Sequence, residues 1–290
     1  MSDFRPRRSV LYMPSSNARA LDKAKSLPCD GLILDLEDAV GPDDKPAARE
    51  AACAAAASGA YGGREVTIRV NGADTEWHAD DLAAACAAGP DAILVPKVDS
   101  ADAVLALVDA MAGHDTPDHT KLWVMIETPY AILHADDIAA ASDRLTVLVM
   151  GTNDLAKELY AEHVPGRQPL LAGLGLALLA ARAAGKVILD GVYNDVKDED
   201  GFLTECRQAR ELGFDGKTLI HPGQVEGANA AFAPSAQAVE DARGILRAWE
   251  DRTSGVVTYR GRMVENLHVE SASRTLQIHD AIQALEADRA

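Results

Sequence analysis

Eight short runs of β-branched and other apolar residues recur along the chain, and Ala- and Leu-rich segments with helical spacing separate them. This alternation is the pattern of repeated βα units, which build parallel sheets. Because eight such units can close on themselves, the sequence predicts a TIM (β/α)8 barrel. The predicted strands are Val10–Met13, Gly31–Asp35, Val66–Val70, Ala92–Val95, Leu122–Ile126, Leu145–Met150, Val187–Val192 and Lys217–Ile220.

The alternative fold is a doubly wound open sheet. That fold would need a glycine-rich dinucleotide fingerprint at its first turn. The first turn here reads Pro14-Ser15-Ser16-Asn17 and contains no glycine. The barrel is therefore favoured.

The alternating pattern stops after the eighth predicted strand. A short helix, a longer helix, a hairpin that turns at Arg260-Gly261 and a last helix are predicted there, over Pro222–Phe232, Ser235–Asp251, Val256–Met263 and Val269–Leu285. We therefore predict a barrel domain over residues 1–233 and a C-terminal extension over residues 234–290. Since the extension is too small to fold alone, we expect it to pack on a neighbouring subunit.

Charge and composition exclude several classes of function. A net charge of −17 over 290 residues argues against nucleic acid and anionic membranes as partners, because both need a basic face. The longest apolar stretch, Leu170–Ala184, is shorter than the ~20 residues of a membrane span. No apolar core follows Met1–Arg8, so we expect a cytoplasmic protein. The four cysteines lack CxxC spacing and are interpreted as free thiols.

Two carboxylates directly follow predicted strands. Glu127 comes after the fifth strand, and Asp154 comes shortly after the sixth. Because the carboxyl ends of neighbouring parallel strands lie together, the two could bind one divalent cation, preferably Mg²⁺. The alternative interpretation is that both acids are helix N-caps.

Polar groups follow nearly every other predicted strand as well. Charged side chains are costly to desolvate unless they are paired, so their concentration at one rim predicts an active site for a metal and an anionic substrate. Arg69 would hold a carboxylate or an oxyanion, and the amides of Gly151 and Thr152 could bind a substrate carboxylate at a helix N-terminus. Lys97 is interpreted as an ion-pairing rim lysine rather than a covalent catalyst. These groups are Asp35-Leu36-Glu37-Asp38, Arg69-Val70-Asn71, Pro96-Lys97, Gly151-Thr152-Asn153-Asp154, Tyr193-Asn194-Asp195 and His221-Pro222.

Motifs at these strand ends resemble those of the citrate lyase beta-subunit family, within the HpcH/HpaI aldolase/citrate lyase superfamily. Malyl-CoA and citramalyl-CoA lyases share the pattern, and the resemblance covers roughly residues 5 to 235. The matching segments are Arg8-Ser9-Val10-Leu11, Leu34 to Val40 with Lys45 and Ala48-Arg49, Arg69-Val70-Asn71, Pro96-Lys97, Ile126-Glu127-Thr128, Gly151 to Leu155, and Gly213-Phe214-Asp215-Gly216-Lys217 through Ile220-His221-Pro222.

The resemblance implies a Mg²⁺-dependent carbon–carbon lyase. Its substrate would be a 3-hydroxyacyl-CoA thioester of the citramalyl, malyl or citryl type, and its products acetyl-CoA or another acyl-CoA and a 2-oxo acid. By the resemblance, Glu127 and Asp154 bind the metal and Glu127 also borders the substrate. Arg69 contacts the substrate and acts in catalysis with the acidic residues Glu37 and Asp38. Arg8 lies where CoA approaches.

One position departs from the family pattern. The family commonly has an aspartate after the C-terminal hairpin, and this chain has Glu265 within Met263-Val264-Glu265-Asn266. The resemblance implies that this carboxylate acts in the site of a neighbouring subunit, within a homotrimer or a hexamer. The longer glutamate side chain changes its reach. The alternative interpretation is a solvated acid without a role.

Three other functions remain open from the sequence. A free-acid, pyruvate-type class II aldolase would be expected to lack the Asp35 to Asp38 cluster and Arg69-Val70-Asn71. A beta subunit of a citrate lyase complex would act on a carrier-protein thioester. A barrel without catalytic activity would be expected to have lost a metal ligand, but both ligand positions are filled.

Overall fold

Eight parallel strands close into a barrel in sequential order in the computed structural model, which describes residues 4–252 and 256–289. The first strand pairs with both the second and the eighth, so the sheet has no open edge. The TIM-barrel prediction is confirmed. The strands are β1 Ser9–Pro14, β2 Gly31–Asp35, β3 Glu65–Arg69, β4 Ala92–Val95, β5 Lys121–Ile126, β6 Leu145–Met150, β7 Val187–Asp190 and β8 Gly216–Leu219.

Three predicted strands extend too far at their carboxyl ends, and the third of the barrel ends at Arg69 and not at Val70. β7 ends at Asp190 and not at Val192, and the next residue, Gly191, lies so close to Thr152 that a Cβ there would collide with its side chain. β8 ends before Ile220, whose N–H donates to Gln224 Oε1 at 3.1 Å instead of to a strand. β7 and β8 therefore end early because the backbone of Gly191 and of Ile220 belongs to the rim loops.

Among the described residues, ten helices follow or connect the barrel strands. Two of them begin at side-chain caps: the side chains of Asn17 and Ser100 accept hydrogen bonds from the N–H groups of Ala20 and Ala103. No helix among the described residues has both the length and the apolar character that a membrane span needs. The helices are α1 Ala18–Ala24, α2 Lys45–Ala57, α3 His78–Ala88, α4 Ala101–Gly113, α5 Pro129–Leu133, α6 Ala135–Ala140, α7 Thr152–Glu158, α8 Leu171–Ala183, α9 Glu199–Leu212 and α10 Val225–Phe232.

Apolar side chains fill the inside of the barrel. Because side chains alternate between the two faces of a strand, every second residue points inward. The buried cluster is Val10, Ile33, Ala92, Leu94, Trp123, Met125, Val147, Val149 and Leu189. This apolar core lies beneath the polar groups at the carboxyl ends of the strands.

The chain divides into two compact units, Arg7–Ala231 and Phe232–Ala290 with Met1–Pro6. In the second unit, helix α11 covers Ala236–Glu250, strands β9 and β10 cover Val257–Tyr259 and Arg262–Val264, and helix α12 covers Asn266–Asp288. The predicted hairpin is formed by β9 and β10. The last helix begins earlier than Val269, at Asn266. The division into domains at residues 1–233 and 234–290 stays a prediction.

Candidate active site

A pocket of about 300 Å³ lies at the carboxyl ends of the barrel strands. Five residues that the sequence predicted as site residues line it, namely Asp38, Arg69, Gly151, Thr152 and Asp154, together with several apolar side chains. Its lining is Tyr12, Asp35, Asp38, Ala39, Arg69, Met125, Met150, Gly151, Thr152, Asn153, Asp154, Val192, Asn194, Thr218 and Ile220.

Arg69, the last residue of β3, is held from three sides. Its Nε and Nη2 donate to the two carboxylate oxygens of Asp35 at 2.6 and 2.7 Å, and its Nη1 lies 2.5 Å from Glu37 Oε2. Its guanidinium carbon lies 4.7 Å from the centre of the Tyr12 ring. Burial alone would lower the pKa of Arg69, but the charge of Asp35 outweighs it and raises the pKa. The site therefore contains a fixed planar cation.

The acidic loop after β2 is held rigidly by its backbone. The carboxylate of Asp35 accepts hydrogen bonds from the N–H groups of Glu37 and Ala39 at 2.9 and 3.1 Å. From behind, Lys45 Nζ donates to the carbonyls of Leu36 and Glu37 at 2.8 and 3.0 Å. Side chains on this loop are therefore placed without help from a ligand.

Glu37 has the properties of a proton acceptor near neutral pH. Burial raises the pKa of Glu37 to about 7, with the charge of Arg69 opposing the increase and the charges of Asp38 and Asp35 adding to it. A carboxylate that titrates near the working pH is well matched to general acid–base catalysis. Asp38 is more exposed, with Oδ2 at 3.8 Å from Arg69 Nη1.

Glu127 follows β5 and is 2% exposed. Its Oε1 accepts a hydrogen bond from the Lys97 N–H at 2.7 Å, and Lys97 adopts a left-handed φ of 53° to donate it. Its Oε2 packs against Gly151, where any Cβ would collide with it. Burial, followed by the charges of Glu37 and Asp154, raises the pKa of Glu127 to about 8. The carboxylate is therefore fixed in place and surrounded by other negative charge.

Neither of the predicted metal ligands is a helix N-cap. Thr128 caps α5 with its side chain, and Gly151 occupies the cap position of α7. Asp154 lies one turn into α7 and lines the pocket. The capping interpretation of these two acids is therefore wrong.

The donor set at Glu127 and Asp154 fits a magnesium ion. Hard carboxylate oxygens are the ligands that Mg²⁺ prefers, and a cation would offset the repulsion that raises the pKa of Glu127. The described residues contain no cluster of three or more His, Cys, Asp or Glu that could hold a metal. Mg²⁺ usually keeps several waters and takes one or two protein carboxylates plus substrate oxygens, so two ligands suffice.

Arg8 does not belong to this pocket. It precedes β1, at the end of the barrel opposite the rim, and is 4% exposed. Its Nε and Nη2 each donate to the Asp30 carboxylate at 2.9 Å. The buried bidentate ion pair with Asp30 holds the guanidinium away from the rim, so the expected contact between Arg8 and CoA stays a prediction that these contacts do not support.

The amide of Gly151 is also occupied. It donates to the Ile126 carbonyl at 3.1 Å, which continues the pairing of β6 with β5. Gly151 and Thr152 both line the pocket, so the glycine contributes close backbone approach rather than a free donor. The expected binding of a substrate carboxylate by the amides of Gly151 and Thr152 stays a prediction, and the Gly151 amide already has a backbone acceptor.

Glu265 lies in the C-terminal unit. It is exposed and occupies the cap position of α12, where its N–H donates to His268 Nδ1 at 2.9 Å. Its role in a neighbouring subunit stays a prediction.

Tyr12 was not among the residues predicted for the site, and the contact between Asn153 and Asn194, two of the predicted rim residues, was not predicted either. Tyr12 alternates with the inward-facing Val10 along β1, and this spacing could have indicated that its ring faces the barrel interior. Asn153 and Asn194 exchange hydrogen bonds between their side chains at 3.1 and 2.8 Å. This pair joins the rim segments after β6 and β7, a contact that no sequence spacing indicates.

Comparison with known protein families agrees with this arrangement. The family model described as HpcH/HpaI aldolase/citrate lyase matches residues 8–222. The chain belongs to the HpcH/HpaI aldolase/citrate lyase family. A second model, for carbon–carbon bond lyases of the TIM-barrel fold, matches residues 175–280. This family member is an enzyme, a carbon–carbon lyase.

Relatives of the family member align over nearly the whole chain. A (3S)-malyl-CoA thioesterase of Cereibacter sphaeroides is 50% identical over 97% of this chain and 98% of the relative. A citrate lyase subunit beta of Escherichia coli is 36% identical over 94% of this chain and 93% of the relative. A structure of the protein CitE from Mycobacterium tuberculosis, in complex with magnesium, acetoacetate and coenzyme A, has a TM-score of 0.73 and 29% identity, and covers 94% of this chain and 97% of that chain.

Proposed function

We propose that this enzyme is a Mg²⁺-dependent lyase that cleaves a malyl-CoA-type 3-hydroxyacyl thioester into acetyl-CoA and a 2-oxo acid. The observation that carries the proposal is that Asp154 and the buried guanidinium of Arg69 line one pocket, and that the Glu127 carboxylate lies close enough to both for their charges to shift its pKa. The substrate class is supported by two relatives, the malyl-CoA thioesterase and the citrate lyase subunit beta, and by the coenzyme A bound in the CitE structure.

Arg69 would bind the carboxylate or the developing oxyanion of the substrate. Its two bonds to Asp35 fix the plane of the guanidinium, so little reorganisation is needed when charge develops. The pocket that it lines also contains apolar side chains such as Met125 and Val192, which exclude water from the reacting carbons.

Glu37 is the proposed acceptor of the substrate hydroxyl proton. Loss of that proton lets the hydroxyl oxygen become the carbonyl of the 2-oxo acid, as the bond between the two carbons breaks and its electron pair moves into the thioester as an enolate. Protonation of the enolate carbon then gives acetyl-CoA. A carboxylate with a pKa of about 7 can accept a proton and return it at neutral pH.

Glu127 and Asp154 would hold the Mg²⁺ ion. When bound, Mg²⁺ polarises the oxygens of a 2-oxo acid as a Lewis acid and holds the substrate in register. Lys97 supports this site through its backbone, because its N–H fixes Glu127 Oε1.

Hydrolysis of the thioester is the second candidate. It is favoured by one observation, the 50% identity to a (3S)-malyl-CoA thioesterase over 97% of this chain. Hydrolysis would release malate and free CoA, with the carbon–carbon bond intact. The same pocket would then hold the same substrate but would admit water to the thioester carbonyl.

A product analysis separates the two candidates. The purified protein is incubated with Mg²⁺ and malyl-, citramalyl- or citryl-CoA, and 2-oxo acid, acetyl-CoA, free CoA and hydroxy acid are each quantified. Equal amounts of 2-oxo acid and acetyl-CoA are expected, and Asp154→Ala protein serves as the inactive control. Release of free CoA and hydroxy acid without 2-oxo acid would show the thioesterase instead. No reaction with any of the three thioesters would overturn the substrate class.

A further inference from the structure

Tyr12 is the inward-facing side chain above Val10 on β1, and it lines the pocket. Its hydroxyl donates to the sulfur of Met125 at 3.9 Å. A thioether is a weak hydrogen-bond acceptor, so this contact leaves the hydroxyl poorly satisfied. An oxygen of a ligand in the pocket would be a better acceptor.

Arg69 shares this environment with Tyr12. Its Nη1 lies 3.7 Å from the same Met125 sulfur, and its guanidinium stacks on the Tyr12 ring at 4.7 Å. The tyrosine O–H and the arginine N–H therefore converge on one place, which a thioether sulfur fills in the free protein. Two converging donors, one of them charged, are the arrangement that stabilises an anionic oxygen.

We propose that the Tyr12 hydroxyl donates a hydrogen bond to an anionic oxygen of the bound substrate, beside Arg69. The inference rests on the proposed function, because the oxygen belongs to the carboxylate or the enolate of that substrate. Tyr12 is thus a catalytic residue that supplies a neutral hydrogen-bond donor beside the charged donor, Arg69. The Met125 sulfur holds both donors in place until the substrate displaces it.

The ring and the hydroxyl of Tyr12 make separable contributions. The ring stacks under Arg69 and packs on the barrel core, whereas the hydroxyl donates its hydrogen bond to the Met125 sulfur. Tyr12→Phe removes the hydroxyl and keeps the ring. Tyr12→Leu removes both.

The test compares these variants with a matched control. Tyr61 is a suitable control, since its hydroxyl donates to the Leu21 carbonyl at 3.1 Å and it does not line the active-site pocket. Tyr12→Phe should lower kcat/KM about 10- to 100-fold, the range expected for a lost hydrogen bond to a charged group. It should also weaken pyruvate binding in the presence of Mg²⁺, measured by calorimetry, about 10-fold. Tyr61→Phe should leave both unchanged.

The outcomes are distinguishable from those of the proposed function. If Tyr12→Phe matches the parent while Tyr12→Leu loses activity, only the ring matters and the inference is overturned. If the parent turns over none of the thioesters, the proposed function fails, and pyruvate binding by the parent and Tyr12→Phe alone decides the inference. Equal binding by the two proteins, or no binding by either, would then overturn it. Unchanged thermal unfolding of Tyr12→Phe excludes misfolding as the cause.

Discussion

The Cα of Gly151 lies directly against the carboxylate of Glu127, and the place that a Cβ at residue 151 would occupy is already filled by Glu127 Oε2 and Cβ. Gly151→Ala should therefore displace a side chain that is 2% exposed and cannot move into solvent. Because a misplacement of about 1 Å can cost ~100-fold in rate, we expect a loss of that order in kcat. Steady-state kinetics and calorimetric titration with Mg²⁺ would measure it.

Gly175→Ala is the matched control for this substitution. Gly175 lies in α8, and nothing comes within 4 Å of a Cβ built there. Alanine should be neutral or slightly stabilising in a helix. Full activity of Gly151→Ala would show that the Glu127 carboxylate has no fixed role.

Arg69→Lys should lower kcat/KM at least ~10-fold, which corresponds to ~1.4 kcal/mol of transition-state stabilisation. A lysine replaces the two-point contact with Asp35 by a single charge and removes the stacking on Tyr12. Kinetics on the preferred thioester would measure the loss. Arg182→Lys is the control, since Arg182 pairs with Asp215 outside the pocket. Parental kinetics for Arg69→Lys would mean that Arg69 is only a structural ion pair.

Asp154→Ala should abolish turnover with little effect on the fold, because Asp154 is a half-buried rim residue outside the core. Turnover by the parent should stop when a chelator is added and return with Mg²⁺. Activity assays, with circular dichroism to check the fold, would measure both. Undiminished turnover of the parent in excess chelator contradicts the Mg²⁺ role.

Lys217→Met should destabilise the protein by about 3–5 kcal/mol at neutral pH, as expected when one partner of a buried ion pair is removed. Lys217 Nζ lies 2.7 Å from Asp190 Oδ2, and both side chains are fully buried. Urea unfolding would measure the loss. Lys121→Met is the control, because Lys121 is exposed, its Nζ donates to the Asp118 carbonyl, and surface changes stay within about 0.5 kcal/mol.

The loss caused by Lys217→Met should shrink in acid. Burial alone would raise the pKa of Asp190, but Lys217 and Arg167 outweigh it and lower the pKa. The parent therefore gains stability from Asp190 at pH values above its ordinary pKa, and loses it as pH falls through the lowered pKa. In the variant, Lys217 no longer opposes the effect of burial on the pKa of Asp190. Asp190 therefore takes up a proton at a higher pH, and the destabilisation caused by Lys217→Met becomes smaller. A destabilisation that does not change between pH 7 and pH 4 contradicts this account.

Glu265 is expected to act in the site of a neighbouring subunit within a homo-oligomer. A hairpin carboxylate that is not bound to metal can transfer a proton, which a metal-bound carboxylate does poorly. Mixing inactive Glu265→Gln protein with inactive Asp154→Ala protein, under conditions of subunit exchange, should then restore partial activity. Native mass spectrometry would report the oligomer and the mixing.

Two outcomes would contradict the shared site. If mixed oligomers form and stay inactive, Glu265 and Asp154 do not serve one site from different subunits. If Glu265→Gln alone keeps parental activity, Glu265 has no catalytic role.

The sequence by itself determined the barrel and the edge at which the site lies. Short continuous apolar runs, separated by segments with helical spacing, specify strands and their order, since burial of a whole strand is a local property of the pattern. The polar groups that follow these runs, such as Asp35, Arg69 and Glu127, therefore fall at the carboxyl ends of the strands. The spacing of apolar and polar residues was sufficient to predict both the barrel and the edge that carries the polar groups.

Only the tertiary structure decided which of these groups face the pocket and what state they are in. Glu37 and Asp38 are adjacent acids in the sequence, yet the Glu37 side chain is mostly buried against Arg69 and the Asp38 side chain is exposed. The pKa of Glu127 depends on burial and on Glu37, which is distant in the chain. Distances between residues far apart in sequence set desolvation and Coulomb energies, and a one-dimensional pattern does not contain those distances.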